Sequence, residues 1–291
     1  MARLLFIFCL ALTSFTFVGD RPAYRLFTAA GSPADYDAML TELAQADVVS
    51  FGEQHNDALA HWLELQVAKD LARLKPGKLV LGLEMFERDV QPLLVRYAAG
   101  TLADTAFERQ ARPWPNYATD YRPLLQFARE NHVSLVGTNA PRPFARVVAQ
   151  RSLTALDKLP AADRALLAPL PLKVNYDLPG YRNMAAMFGG NGSAHGGGAQ
   201  NIIQAQALKD ATMAHFVATS RQPGQTLLHF NGSYHSDHHD GIMAWLQQSA
   251  PKLRVRTISV VTQEQLQTLE KEQVNVADFV VVVPVDAAKT Y

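Results

Sequence analysis

The sequence predicts an α/β protein in which helices flank a mostly parallel central sheet. Short apolar runs alternate with stretches of helical period between residues 47 and 150, and again between residues 200 and 285. Several runs end in a glycine or a polar residue directly before a helix, as strands do in parallel βαβ units. From Ser152 to about Gly198 this alternation stops. Prolines and glycines there predict a helical insertion (residues 151–198) that lies as a lid over the carboxyl edge of the strands.

The individual elements follow from breakers and periodicity. Pro22, Gly31 and Pro33 predict a loosely structured lead-in over residues 20–34. Apolar positions at the helical period predict helices over residues 35–46, 57–74, 90–99, 102–110, 123–131, 142–150, 200–219 and 240–248. Buried or β-branched runs predict strands over residues 47–51, 79–84, 133–138, 226–230, 255–261 and 279–285. At 291 residues the chain is near the upper size of one domain, and we expect residues 20–291 to form one.

The first residues have the pattern of a secretory signal peptide. Arg3 precedes an apolar run over residues 4–18, which is short for a membrane span, and polarity returns at Gly19. We therefore expect residues 1–19 to be a signal peptide; the alternative is an N-terminal anchor that stays attached. Either way the protein is expected to be exported, in the periplasm or associated with the outer side of the inner membrane.

Cysteine and charge exclude several classes of function. The only cysteine, Cys9, lies inside the apolar run and has no lipoprotein-signal pattern before it, so the mature chain would hold no thiol. That excludes disulfides, iron–sulfur clusters and cysteine-ligated haem. Lys plus Arg and Asp plus Glu both number 27, and we find no basic stripe with interleaved aromatics, so we expect no nucleic-acid partner.

Three predicted strands end in residues that can bind a metal ion. His55 and His235 each stand in a G-x-x-H pattern after an apolar run, and Glu84 ends another such run. Because the carboxyl ends of parallel strands meet at one edge, these three side chains could hold a divalent ion such as Zn, Mn or Co. Glu53 would then be a ligand, a general base or an orienting group. The alternative is that each histidine only bonds a neighbouring carbonyl.

A proline-bracketed aromatic loop is the second candidate site. Trp114 lies between two prolines, and Tyr117, Tyr121 and Arg122 follow it closely. The prolines predict a fixed loop rather than a helix. Tyrosine phenolate is an axial ligand of ferric haem and arginine can pair with haem propionates, so the loop suits a flat ligand that carries carboxylates. A purely structural loop that covers the sheet edge is the alternative.

Six short motifs, in order along the chain, carry a resemblance to a known family. They are the segments at residues 51–55 (FGEQH), 83–89 (LEMFERD), 121–128 (YRPLLQFA), 137–141 (GTNAP), 205–214 (AQALKDATMA) and 232–235 (GSYH). The chain resembles the ChaN-like haem-binding uptake proteins of the Tiki superfamily over roughly residues 45 to 250.

The resemblance implies an exported haem-binding protein of an iron or haem acquisition system, with a tyrosine as the axial ligand of the haem iron. Tyr121 lies in a matching motif, and Tyr117 and Tyr234 compete with it for that role. Arg122, Trp114 and His235 would complete the haem site. An outer-membrane haem receptor or transporter is the expected partner, and a homodimer would shield the exposed faces of the ligand.

The superfamily also implies a second function. Its Tiki side shares paired G-x-x-H motifs and a glutamate, which here are the motifs of His55 and His235 together with Glu84. The alternative is therefore a metal-dependent hydrolase or protease in which Glu53 is the catalytic residue. The sequence leaves open whether the protein is an enzyme, and we expect the haem-binding function to be the main one.

Overall fold

The computed structural model describes residues 22–189 and 198–291. The predicted signal peptide, and most of the glycine-rich segment within the insertion, lie outside the described residues. Within them, no helix has both the length and the apolar character needed to cross a membrane.

Seven strands form one sheet in the order β1-β7-β6-β2-β5-β3-β4. Their bounds are β1 Arg25–Thr28, β2 Val48–Glu53, β3 Leu79–Glu87, β4 Ser134–Asn139, β5 Thr226–Gly232, β6 Val255–Gln263 and β7 Phe279–Pro284. Every neighbouring pair is parallel except β1 with β7. The prediction of a mostly parallel sheet is confirmed.

The first strand corrects the prediction for residues 20–34. Arg25–Thr28 is not a loose lead-in, because it pairs antiparallel with β7, with Phe27 opposite Val280. Phe27 is buried in a cluster that includes Val280 and Val282. A four-residue run gives a weak periodic signal, and its partner strand lies about 250 residues further along the chain, so the pairing could not be read locally.

Helices cover both faces of the sheet. They are α1 Tyr36–Gln45, α2 Ala58–Leu74, α3 Gln91–Ala98, α4 Asp104–Ala111, α5 Arg122–Glu130, α6 Arg142–Arg151, α7 Ala161–Arg164, α8 Pro179–Gly189, α9 Gly198–Thr219 and α10 Ile242–Ser249. Apolar side chains of α1 to α5 pack on one face, against residues such as Val49 and Phe51. Those of α9 and α10 pack on the other face, against Val48 and Leu227. Consecutive residues of β2 thus face opposite layers, as a strand requires.

The predicted insertion packs on the second layer and reaches the carboxyl edge. Tyr181 of α8 is buried against Ile203 and Ala207 of α9. At the start of α8, the backbone N–H of Gly180 donates to Asp240 (2.5 Å) and its carbonyl accepts from Tyr234 (2.8 Å). The insertion is therefore joined to the segment that follows β5.

The aromatic loop differs in part from its prediction. Residues 112–116 are irregular up to Asn116, but Tyr117–Tyr121 form a single π-helical turn that runs directly into α5. Prolines at positions 113 and 115 prevent a helix from starting earlier, and none follows within the turn itself. The turn points Tyr117 and Tyr121 into the core, which decides what these two side chains can contact.

Candidate functional site

The three strands predicted to supply the site are neighbours in the sheet. β5 lies between β2 and β3, and Glu53 at the end of β2 is paired with Gly232 at the end of β5. Gly232 is where the side chains converge. Its N–H donates to Glu84 Oε2 (2.7 Å), and a Cβ at this position would lie 2.7 Å from the His55 ring. A glycine is therefore required, because any side chain would displace His55.

His55 is a half-exposed imidazole with a fixed orientation. Its Nδ1 donates to Glu53 Oε1 (2.7 Å), and its side chain is 39% exposed. The ring meets Trp114 edge to face, with 4.9 Å between centroids. Partial burial opposes protonation, but the hydrogen bond to the Glu53 carboxylate outweighs it and raises the pKa of His55. Nε2, the ring nitrogen that approaches Gly232, has no hydrogen-bond partner among the described residues.

His235 is held between two carboxylates. Its Nε2 lies 3.2 Å from Glu84 Oε1, and its Nδ1 bonds to Asp210 of α9. Burial alone would lower the pKa of His235, but the charges of Glu84 and Asp210 raise it to about 10. Burial alone would raise the pKa of Glu84, but the charge of His235 lowers it to about 2. With its pKa raised in this way, His235 must lose a proton at neutral pH before it can bind a metal ion.

Glu53 belongs to a further buried network that the sequence analysis missed. Its Oε1 accepts from Tyr121 (2.5 Å), and its Oε2 lies 3.7 Å from His61 Nδ1. His61 Nδ1 also contacts Glu64 Oε2 at 2.9 Å. Within the described part of the chain, Glu53, His61 and Glu64 (the buried triad) have potential ligand atoms that all lie within 4.8 Å of one another.

The signal that could have found the triad was present in the sequence. His61 and Glu64 are three residues apart on α2 and share one helical face. Polar residues in an amphipathic helix are usually solvent-exposed, so the pattern alone did not place them inside. Burial and the charge of Glu53 raise the pKa of Glu64 well above its usual range. Burial alone would lower the pKa of His61, but the charge of Glu64 raises it to about 10.

The three candidate tyrosines have different environments. Tyr121 is fully buried and donates to Glu53, and burial followed by the Glu53 charge raises its pKa far above the usual range. Tyr117 is 3% exposed and packs against Phe86 and Phe107. Tyr234 alone of the three is open to solvent, with 47% of its surface exposed. The assignment of an axial tyrosine stays a prediction, and only Tyr234 presents its ring at the surface in this conformation.

The arginines of the aromatic loop are occupied by acidic partners. Arg122 pairs with Glu108 (3.1 Å) and Arg112 with Asp89 (2.7 Å). Trp114 lies between His55 and Tyr121, with its ring 5.9 Å from that of Tyr121. The structure therefore brings Trp114, Glu53, His55 and Tyr121 together, whereas Arg122 points to α4. Of the predicted ligand set, His55 and Glu84 contact Gly232 and His235 contacts Glu84; metal binding by these three residues stays a prediction.

Solved structures of other proteins are similar to this chain to different degrees. The fold is similar to that of ChaN of Campylobacter jejuni, whose structure is described as cofacial haem binding; the TM-score is 0.66 at 14% identity, covering 89% of this chain and 96% of that chain. A Bacillus cereus protein has a TM-score of 0.50 at 11% identity, over 90% of this chain and 95% of that one. An erythromycin esterase, EreC, has a TM-score of 0.46 at 13% identity, over 89% of this chain and 82% of that one.

No curated protein matches the chain significantly. A family model described as "Haem-binding uptake, Tiki superfamily, ChaN" matches residues 39–246. The matched region includes β2, β3 and β5 and every residue of the edge described above. Since it extends over more than half of the sequence, the protein belongs to the ChaN haem-binding uptake family of the Tiki superfamily.

Proposed function

We propose that the protein binds haem at the carboxyl edge of the sheet and takes part in haem or iron acquisition. One observation carries the proposal beyond the family match. The His55 ring approaches Gly232, Tyr234 follows that glycine by two residues, and both potential iron ligands have solvent-accessible side chains. Imidazole and phenolate are both axial ligands of haem iron. Glu53 fixes the His55 ring through Nδ1, as carboxylates do for metal-binding histidines, and leaves Nε2 available.

Tyr234 is the tyrosine that we assign as the ligand. A ligating tyrosine must lose its proton, which is costly for Tyr121 because its phenol is buried beside the Glu53 carboxylate. Tyr234 donates to the Gly180 carbonyl, and turning it toward iron would break one exposed hydrogen bond. Trp114 beside His55 offers an apolar edge for the porphyrin plane. Arg122 would have to leave Glu108 to reach a propionate.

The expected result of a haem titration follows from this assignment. Haem should give a saturable Soret shift with a tyrosinate-type ferric spectrum in the wild-type protein. Tyr234→Phe should lose the charge-transfer bands of that spectrum and bind at least about tenfold more weakly, equivalent to about 1.4 kcal/mol. Absorbance and resonance Raman spectra of the ferric complex are the measurements.

Tyr121→Phe and Tyr117→Phe are the matched controls, since each removes one phenol oxygen from the buried pair. Both should keep the wild-type haem spectrum. If Tyr121→Phe changes the spectrum and Tyr234→Phe does not, the assignment to Tyr234 is wrong. Light scattering of the wild-type protein should give the mass of a dimer when haem is bound. A monomer mass both with and without haem would contradict the proposed homodimer.

The proposed setting is outside the cytoplasm, with a haem receptor or transporter of the outer membrane as partner. The apolar N-terminal segment that resembles a secretory signal supports export. Exposed Met187 and Phe188 lie at the other end of α8 from the turn that is bonded to Tyr234, and they offer an apolar surface on the insertion. Such a surface suits a second subunit or a partner protein.

A metal-dependent hydrolase is the second candidate function. It is favoured by the pairing of an oriented, half-exposed imidazole, His55, with the Glu84 carboxylate across Gly232. A divalent ion held by His55, Glu84 and deprotonated His235 would lower the pKa of bound water. Glu53 is buried and binds His55, so in this arrangement it orients that ring and is not placed as a base toward solvent.

The hydrolase is tested by activity with an added metal. With Zn, Mn or Co, the wild-type protein should cleave small ester or peptide substrates, and His55→Ala should reduce kcat/KM by at least about 100-fold. Tyr234→Phe, which changes the haem ligand, should leave this rate within about twofold. Absence of turnover in the wild type with all three metals would leave haem binding as the only proposed function.

A further inference from the structure

Two buried carboxylate oxygens below the edge lack partners. With both groups ionised, Glu53 Oε2 and Glu64 Oε1 have no hydrogen-bond donor among the residues that the structure describes. Glu53 is 2% exposed and Glu64 is 1% exposed, so bulk solvent does not reach these oxygens. An unpartnered buried carboxylate oxygen costs several kcal/mol in general, so two in one place call for a ligand that is positively charged.

The third member of the buried triad supplies a nitrogen at the same point. His61 Nδ1 lies 2.9 Å from Glu64 Oε2 and 3.7 Å from Glu53 Oε2. Ligands about 2.0–2.2 Å from a first-row metal ion lie roughly 3–3.7 Å from one another, because the ligand–metal–ligand angles are wide. The potential ligand atoms of all three residues lie within 4.8 Å of one another, so small side-chain movements would bring them to such spacings.

The surroundings of the triad hold each ligand in place. The other nitrogen of His61, Nε2, lies 3.1 Å from the His55 carbonyl and 3.5 Å from Asp120 Oδ2. Metal-binding histidines commonly donate their second N–H to a carbonyl or a carboxylate in this way. Glu53 Oε1 is bound by Tyr121 and His55, which leaves Oε2 facing His61. Asn116 donates to both the His55 carbonyl and Asp120, and so fixes the two groups that contact His61 Nε2.

From this geometry we propose that Glu53, His61 and Glu64 bind a divalent first-row metal ion beneath the carboxyl edge. The site differs from the His55, Glu84 and His235 set, and it needs neither haem binding nor hydrolysis to be correct. With both carboxylates ionised the site would carry two negative charges in a dry environment, and one divalent ion would neutralise them. Imidazole with carboxylates suits Zn²⁺, Mn²⁺ or Fe²⁺, whereas the triad has too few oxygen ligands for Ca²⁺.

The ion would link the strand that carries the edge to a helix of the first layer. Glu53 ends β2, and His61 and Glu64 lie in the first two turns of α2. With Oε2 of Glu53 bound to the ion, its Oε1 stays directed at His55. The site therefore stabilises the fold and positions the imidazole above it, while the bound ion does not contact solvent.

The test uses Zn²⁺ alone as the probe. The full-length chain is treated with a chelator, incubated with excess Zn²⁺ and desalted, and zinc per chain is measured by elemental analysis. We expect about one retained ion and a raised Tm in the wild type, since binding to the native state stabilises it. Glu64→Gln, which keeps the side-chain shape, should retain at least about tenfold less zinc and lose the rise in Tm.

Two controls separate this site from the edge. Glu130→Gln replaces an exposed helical glutamate, and His55→Ala removes an edge ligand; both should retain zinc as the wild type does. Zinc lost in His55→Ala and kept in Glu64→Gln would place the ion at the edge and overturn the proposal. A wild-type protein that retains no zinc would also overturn the proposal.

A spectroscopic measurement on the wild type covers the case in which Glu64→Gln does not fold. Pulsed EPR of the protein loaded with Mn²⁺ or Cu²⁺ counts coordinating imidazoles. One imidazole is expected, from His61. Two imidazoles would indicate His55 and His235 and would contradict the site proposed here.

Discussion

Asp210→Ala is expected to lower the free energy of unfolding by about 3–5 kcal/mol, because it breaks a buried ion pair from one side. Asp210 is 1% exposed and bonds to His235 Nδ1. It also accepts from the Tyr181 hydroxyl at 2.7 Å. The variant therefore leaves a buried imidazolium with one carboxylate and a buried phenol without its acceptor. Urea unfolding followed by circular dichroism measures the change.

The matched control is Asp157→Ala, which truncates an exposed aspartate and should change the free energy of unfolding by less than about 0.5 kcal/mol. Asp210→Asn keeps the shape but not the charge and should fall between the two. If Asp210→Ala were as stable as Asp157→Ala, the Glu84–His235–Asp210 group would not be the ion pair that the distances describe.

Most of the sheet and the corner of the site could be predicted from local patterns. Predicted strands at residues 47–51 and 226–230 match β2 and β5, because fully buried parallel strands are continuous apolar runs. The adjacency of β2, β5 and β3 then brings His55 and Glu84 to Gly232, as their positions at strand ends implied. The resemblance to the ChaN family, drawn from short motifs, is confirmed by the family match.

The missed residues depend on tertiary packing. Asp210 lies within a 22-residue helix that is buried on much of its surface, so nothing in its local pattern separates it from an exposed acid. His61 and Glu64 are polar positions on an amphipathic helix, and only the packing of α2 on β2 places them inside. The burial of Tyr121 follows from a π-helical turn that the proline pattern did not predict.

The buried side chain of His229 should make the free energy of unfolding depend on pH in the acid range. It is fully buried in β5, its Nε2 is bonded to the Thr138 hydroxyl (2.8 Å), and its Nδ1 is bonded to Asn231 Oδ1 (3.0 Å). A Cβ on Gly82 of β3 would lie 2.8 Å from this ring, so a glycine at that position leaves the space that the ring occupies. Burial lowers the pKa of His229 to about 4. The native state therefore holds this imidazole neutral where the unfolded chain would protonate it.

The direction of the pH effect follows from proton counting. Between the unfolded pKa of about 6.5 and the native pKa of about 4, the unfolded chain binds more protons, so stability falls as the pH falls through this range. His229 lowers the free energy of unfolding by at most about 3 kcal/mol, and this loss is complete below pH 4. His61 and His235 act in the other direction, because their native pKa values of about 10 make stability fall as the pH rises above 6.5.

His229→Gln isolates the acid effect, since glutamine can keep a donor for Asn231 and an acceptor for Thr138 but does not titrate. The difference in unfolding free energy between wild type and variant should shift by up to about 3 kcal/mol between pH 7 and pH 4, with the variant losing less stability. Urea unfolding at half-unit pH steps measures it. The Glu84 contribution, lost only as the pH falls from about 4.5 through about 2, is present in both proteins and cancels. If the unfolding free energies of the two proteins changed in parallel between pH 7 and pH 4, His229 would be protonated as readily in the native state as in the unfolded chain. Its imidazolium would then donate a hydrogen bond to the Thr138 hydroxyl instead of accepting one.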